Sequence, residues 1–239
     1  MLASSPPTVL KGSSPMRPLK LVAVAVPVLA VLAFGGAWAY VDLIKDEAPA
    51  PLTLEGTGAP AAADSSVEGT WKATTGSRAG YRVDEVLLGR NATAAGRTED
   101  VTGELVIAGT RVTAATVTVD MTTVTSDESR RDNQFRGRIM NVATYPTSTF
   151  RLTSPIDLGE LPADGEQITV PATGELTLRG TTKTVTVDLV ARRNGANIEV
   201  NGTIPVVFAE WDIPNPSFGP VTTEDHGELE LLVVFARQT

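Results

Sequence analysis

His226 is the single histidine of the chain, and Asp225 precedes it. Histidine is the usual base that activates a serine, and a neighbouring carboxylate can orient its ring. The pair sits, however, in Thr223-Glu224-Asp225-His226-Gly227, a polar turn ahead of a strand, with no nucleophile motif beside it. The chain has no cysteine. That excludes a thiol nucleophile, a thiolate metal site, a disulfide framework and a lipid-modified N-terminal cysteine together. With one His and no Cys, zinc would need three carboxylates, an uncommon set. Carboxylates gather at Glu224, Asp225, Glu228 and Glu230, and calcium takes such ligands, but the spacing matches no calcium loop. Glycoside hydrolysis needs two carboxylates facing each other across a cleft, and the acidic residues are numerous enough that chance pairs carry no information. Asn91-Ala92-Thr93 and Asn201-Gly202-Thr203 are sequons, meaningful only in a cell that glycosylates them. These residues predict no catalytic site, no metal and no cofactor. The chain reads as a binding protein, not an enzyme.

Charge narrows the partners. The net charge is −8, and residues 1–67 hold four of the 20 basic and five of the 28 acidic side chains, so residues 68–239 carry −7. Phosphates would be repelled, which excludes nucleic acid. From Leu21 to Val41 the chain carries no charge. At ~1.5 Å rise per residue this run makes about 31 Å of helix, close to the roughly 30 Å of a bilayer's hydrocarbon core. Lys11, Arg17 and Lys20 precede it, while Asp42, Asp46 and Glu47 follow with Lys45. Basic flanks stay in the cytoplasm, so everything beyond Val41 is expected outside. Ala37-Trp38-Ala39 also fits a cleavage site, and secretion after signal cleavage is the alternative. The apolar run exceeds the usual ~7–15 residues of a signal core, and Trp38 and Tyr40 suit an interfacial belt, which favours an uncleaved single-pass anchor. The expected organisation is a cytoplasmic segment 1–20, a transmembrane anchor 21–41, a disordered Ala/Pro-rich stalk 42–67 and a folded domain 68–239.

That domain alternates apolar and polar residues with the period of half-buried strands. Val117, Val119 and Met121 alternate with Thr116, Thr118 and Asp120; Val185, Val187 and Leu189 alternate with Thr184, Thr186 and Asp188. Turn signals at Ala108-Gly109-Thr110, Ala163-Asp164-Gly165 and Arg193-Asn194-Gly195 separate the runs. Strands are expected near 78–88, 91–98, 100–108, 111–122, 147–153, 172–179, 183–193, 197–208 and 227–236, or eight if 91–108 is one bent strand. Leu231-Leu232-Val233-Val234-Phe235 is apolar on both faces, so something must cover the outer side of the last strand. Thr125–Met140 breaks the alternation. Thr125 with Glu128 resembles a capping box, and Phe135 and Ile139 fall on one face, so a short amphipathic helix is expected.

Two blocks stand out. Arg131-Asp132 at the helix start is followed by Tyr145-Pro146-Thr147-Ser148-Thr149-Phe150, and Gly174-Glu175-Leu176-Thr177-Leu178-Arg179-Gly180-Thr181-Thr182-Lys183 reads as two strands and a tight turn. With Ile204-Pro205-Val206-Val207-Phe208 and Trp211, in this order over roughly 68–239, the pattern resembles the YceI-like family. That resemblance implies a mainly β fold: an eight-stranded antiparallel, lipocalin-like barrel with one short inserted helix, here preceded by the single transmembrane helix. It also implies a lumen that binds polyisoprenoid or related lipids. The chain departs from the family pattern at Tyr81-Arg82-Val83-Asp84-Glu85, where many members carry His-Ser, and at Asp212-Ile213-Pro214 after Trp211.

Alternation sends Val117, Val119, Val185, Val187, Leu189, Leu229 and Leu231 inward, with Asp120, Asp188 and Glu230 outward. Val83, Phe135, Ile139, Phe150, Leu176, Leu178 and Phe208 complete the expected lumen lining. The expected function is a membrane-tethered, extracytoplasmic protein that sequesters or carries an isoprenoid or other long-chain lipid. The alternative is a stalked β-sandwich that acts through its outer surface as an interaction or adhesion module.

Overall fold

A computed structural model describes residues 48–59, 66–87 and 89–238. The expected anchor, residues 21–41, lies outside these. Among the described residues no helix is long and apolar enough to cross a membrane.

Thirteen strands form one antiparallel sheet: β1 (Gly69–Ala73), β2 (Arg78–Leu87), β3 (Arg90–Thr98), β4 (Val101–Ala108), β5 (Arg111–Asp120), β6 (Thr125–Ser126), β7 (Thr147–Leu152), β8 (Ile156–Asp157), β9 (Gln167–Leu178), β10 (Thr181–Asn194), β11 (Asn197–Val207), β12 (Val221–Thr223) and β13 (His226–Arg237). The ladder runs β1-β4-β5-β7-β9-β10-β11-β13 and returns to β1, because Trp71 faces Leu105 on one side and Arg237 on the other. The sheet therefore closes into a barrel of eight staves, which removes its edges. A sandwich would leave two open sheets, and the alternative architecture is excluded.

Two staves are bent, and the sequence shows how. β2 continues β1 along the same partner, β13. Between them the ladder is interrupted, and the Ser77 hydroxyl replaces it: its Oγ accepts from the Val234 amide at 3.0 Å and donates to the Val234 carbonyl at 3.3 Å. Likewise β3 runs on into β4 through Glu99-Asp100, so residues 90–108 are the single bent strand that the count of eight requires. β3 pairs onward with β6, not with β5. At the opposite side, Arg179 and Gly180 both take positive φ, 48° and 77°, and close the β9–β10 hairpin in two residues. β9 starts earlier than expected, at Gln167. Pro171 obscured it in the sequence, yet β7 pairs β9 only from Gly174 onward, so the proline faces an edge that needs no donor.

The expected helix is a short α1 (Ser129–Gln134) that widens into a π turn, Phe135–Ile139. The capping box is not formed: Thr125 lies in β6, and Glu128 itself is the N-cap, accepting from the Arg130 amide at 3.1 Å. Phe135 and Ile139 are buried as their spacing required. The Tyr81 ring on β2 stacks on Phe135 at 5.0 Å. Arg179, in the β9–β10 turn, donates through Nε to the Ile139 carbonyl at 2.8 Å. The helical segment thus spans one end of the barrel, called here the helix end.

Residues 48–59, part of the expected disordered stalk, lie extended along the outside of the barrel. Six of their carbonyls accept hydrogen bonds from it: Pro49 from Arg82, Ala50 from Arg97, Leu52 from Asn201 at 2.7 Å, Glu55 and Gly56 from Arg192 at 2.6 Å each, and Ala59 from the Gly195 amide at 2.8 Å. Leu52 is only 4% exposed. Its carbonyl accepts from Asn201, whose cross-strand partner is Leu232, an outward residue of β13 that is only 8% exposed. This strap is the cover that the doubly apolar last strand demanded. Where it passes the 163–165 turn, a Cβ on Gly58 would stand 2.7 Å from the Gly165 Cα, so both positions require glycine.

Candidate functional site

The interior of the barrel is the candidate site. Along β10, Thr184, Thr186 and Asp188 are exposed while Val185, Val187 and Leu189 point in. On β5 the outward Thr116, Thr118 and Asp120 are half-buried and on β13 the outward Glu230 is buried, but all fourteen expected lining residues belong to the interior apolar cluster or pack against it. Register confirms the facing: Phe150 is cross-strand from both Val117 and Leu176, and Val187 from the fully buried Ala172. Burial along this interior is uneven. Val233, Leu178 and Trp71 are sealed, but the equally inward Val117, Val185, Leu189, Leu229 and Leu231 are only half-buried. Close packing seals the first group; the second group is the part of the interior wall that is left partly accessible.

Polar groups collect at the helix end. Tyr81 and Glu85 lie on the inward face of β2, in line with the buried Val83. Arg131 pairs with Asp127 and approaches Glu85 at 3.6 Å. Asp132 is buried and accepts from the Ser126 amide at 2.8 Å and its hydroxyl at 2.7 Å. The Arg-Asp pair of the sequence motif therefore knits the helix to β6 and β2. Burial, foremost, pushes the Tyr81 phenol well above its ordinary range, with Arg131 opposing and Asp132, Asp127 and Glu85 adding to the rise. Tyr81 and Glu85 were absent from the expected lining, although the alternation Ala79, Tyr81, Val83, Glu85 carries the signal.

The other candidate chemistry is not assembled. His226 is exposed, and its Nδ1 lies 2.9 Å from Asp225 Oδ1. That hydrogen bond, first, raises the imidazole pKa above its ordinary value. No serine takes part. Among the described residues no group of three or more His, Asp or Glu is placed to hold a metal. Glu230, one of the carboxylates considered for calcium, faces outward as expected but is only 2% exposed beneath the strap, paired with Arg82 at 2.9 Å and Arg97 at 3.1 Å. Asn201, the asparagine of one sequon, uses its side-chain amide on Leu52 and on the Leu231 carbonyl.

Comparison with known proteins agrees with this geometry. A family model described as "YceI-like domain" matches residues 71–235. Protein YceI of Escherichia coli O157:H7 is 37% identical over 73 residues, 30% of this chain and 34% of that protein. A UPF0312 protein of Vibrio parahaemolyticus is 32% identical over 105 residues, 41% of this chain and 52% of that protein. The chain thus aligns with about half or less of the length of these curated relatives. Among solved structures, a polyisoprenoid binding domain from Saccharophagus degradans, implicated in plant cell wall breakdown, superposes with a TM-score of 0.57 at 18% identity, covering 71% of this chain and 98% of that one. At that identity the likeness speaks for the fold.

Proposed function

The chain belongs to the YceI-like domain family, and on that premise we propose that its barrel binds the apolar chain of an isoprenoid-type or other long-chain lipid. The observation that carries this reading is the run of inward yet half-buried aliphatic side chains, Val117, Val185, Leu189, Leu229 and Leu231. An eight-stranded barrel is just wide enough to hold one slender ligand. Burying a methylene yields about 0.8 kcal/mol, so each five-carbon isoprene unit contributes roughly 4 kcal/mol before ordering costs. Affinity then needs no charged anchor, in keeping with the plain Val and Leu side chains of this stretch of the wall. The protein acts as a carrier or sequestering protein, with no catalytic role for His226. The uncharged run 21–41 and its basic flank support a single-pass anchor with the barrel outside the cytoplasm.

The test uses the full chain purified in detergent, with bound lipid identified by mass spectrometry. Val185→Trp should fill the lumen and abolish lipid retention while the thermal midpoint holds. Thr184→Trp, on the outer face, should change neither. A wild type that never carries lipid, together with a Val185→Trp protein destabilised by the ~1–3 kcal/mol of an overpacked core, would overturn the reading. Protease added to spheroplasts should degrade the barrel, and full protection would overturn the topology alone.

A further inference from the structure

An apolar lumen secures the chain of a lipid and leaves its polar end to be placed. We propose that the Tyr81 hydroxyl receives that end, and that the end is an uncharged oxygen and not a phosphate. The proposal rests on the proposed lipid-filled lumen.

Tyr81 borders the partly accessible wall. It points inward from β2 between Leu229 of β13, its partner on one side, and Gly96 of β3 on the other. Leu229 is one of the half-buried aliphatic residues, and Leu231 and, across Gly202, Leu189 continue that wall. The phenol is held in place. Its ring stacks on Phe135 with 5.0 Å between centroids and 14° between planes. Gly96 leaves room for its edge: a Cβ there would stand 2.5 Å from Tyr81 Cε1 and 3.0 Å from the hydroxyl oxygen. The neighbouring polar groups are occupied. Asp132 accepts from the Ser126 amide and hydroxyl, and Arg131 is shared between Asp127 and Glu85. Among the described residues, nothing donates to or accepts from the Tyr81 hydroxyl. A hydroxyl withdrawn from water without a partner is costly, and an oxygen on the lipid supplies the partner.

Charge decides which oxygen. Burial, foremost, holds the phenol un-ionised well above its ordinary range, and of the charges that reach it Arg131 stands alone against Asp132, Asp127 and Glu85. The other cations of this end are spent elsewhere: Arg136 donates to the Val124 carbonyl, Arg138 to those of Asn215 and Pro216, and Arg179 to those of Ile139 and Asp212. Arg130 is exposed. A phosphate at the Tyr81 hydroxyl would shed its hydration and meet the surplus of carboxylate that opposes the phenolate. A neutral phenol can still donate to an uncharged hydroxyl or carbonyl oxygen, at no such cost.

The test uses the full chain in detergent with three probes: geranylgeraniol, its monophosphate, and the matching hydrocarbon that has hydrogen in place of the hydroxyl. Each affinity is expressed against the probe's concentration in the micelles. Wild type should hold geranylgeraniol more tightly than the other two. Tyr81→Phe keeps the ring and loses only the oxygen, so it should weaken geranylgeraniol about tenfold and leave the hydrocarbon unchanged. Asp127→Asn relieves Arg131 of one carboxylate, so it should raise the monophosphate relative to geranylgeraniol by about threefold. Geranylgeraniol binding that is indifferent to Tyr81→Phe, or that falls in step with the hydrocarbon, overturns the role of the hydroxyl and leaves the lumen standing. A monophosphate held as tightly as geranylgeraniol, or a ratio unmoved by Asp127→Asn, overturns the exclusion of charge. A wild type that binds none of the three overturns the lumen reading itself.

Discussion

Glu230 and Arg82 meet at 2.9 Å on the outer wall of the barrel, yet the carboxylate is almost completely buried. The strap makes it so: Arg82 donates through Nε to Glu230 and through Nη2 to the Pro49 carbonyl, while Arg97 donates from its Nη2 to both Glu230 and the Ala50 carbonyl. The ion cluster is the joint between the first strands, the last strand and the segment that precedes them all.

A carboxylate in that position is costly to disturb, because removing it leaves two partly buried cations without a counter-ion. Glu230→Gln should destabilise the domain by roughly 3 kcal/mol in chemical denaturation of the full chain. Arg151→Ala, which breaks the exposed Arg151–Glu175 pair, should cost less than about 1 kcal/mol. Similar costs for the two would show that the cluster is solvated.

The strap has one buried side chain, so its docking should depend on it. Leu52→Ala removes about 2–3 kcal/mol of burial and cavity energy from that docking. Limited proteolysis should then cut within 48–59 well before the barrel is attacked. A cleavage pattern unchanged from wild type would mean that the carbonyl contacts suffice.

Tyr81 sets a limit at high pH. Its folded pKa lies above the unfolded value of about 10, so the neutral phenol favours the folded state. That contribution is intact below about pH 10 and is lost as the pH rises from there toward the folded pKa. Ultraviolet titration should show one tyrosine that fails to ionise until the domain unfolds, and Tyr81→Phe should abolish that late step. Ionisation of all tyrosines near pH 10 in the folded protein would contradict the burial.

His226 should behave as a surface group. Its raised pKa favours the protonated, folded form at low pH, and this preference fades as the pH rises from about 6.5 through the folded value. His226→Ala should leave lipid retention and the thermal midpoint unchanged, and Asp225→Asn should bring the imidazole titration, followed by NMR, back toward 6.5. Loss of function from His226→Ala would reopen the enzymatic reading.

The inward faces of β5, β10 and β13 were legible in the sequence, because strand side chains alternate with a strict period of two and the carboxylates of Asp120 and Asp188 mark the outer side. The helix, its buried Phe135 and Ile139, and the bent second stave followed from the same periodicity and its interruption. Tertiary structure alone decided what became of the outer wall. Leu52 is held by Asn201, 149 residues later in the chain, and Glu230, outward by its register, is buried by Pro49 and Ala50 above its arginines. The strap left no pattern to find because it is held by its carbonyls, and every residue has a carbonyl. Alternation fixes which way a side chain points; whether that side is water or protein depends on a segment whose contacts are written in the backbone and not in residue type.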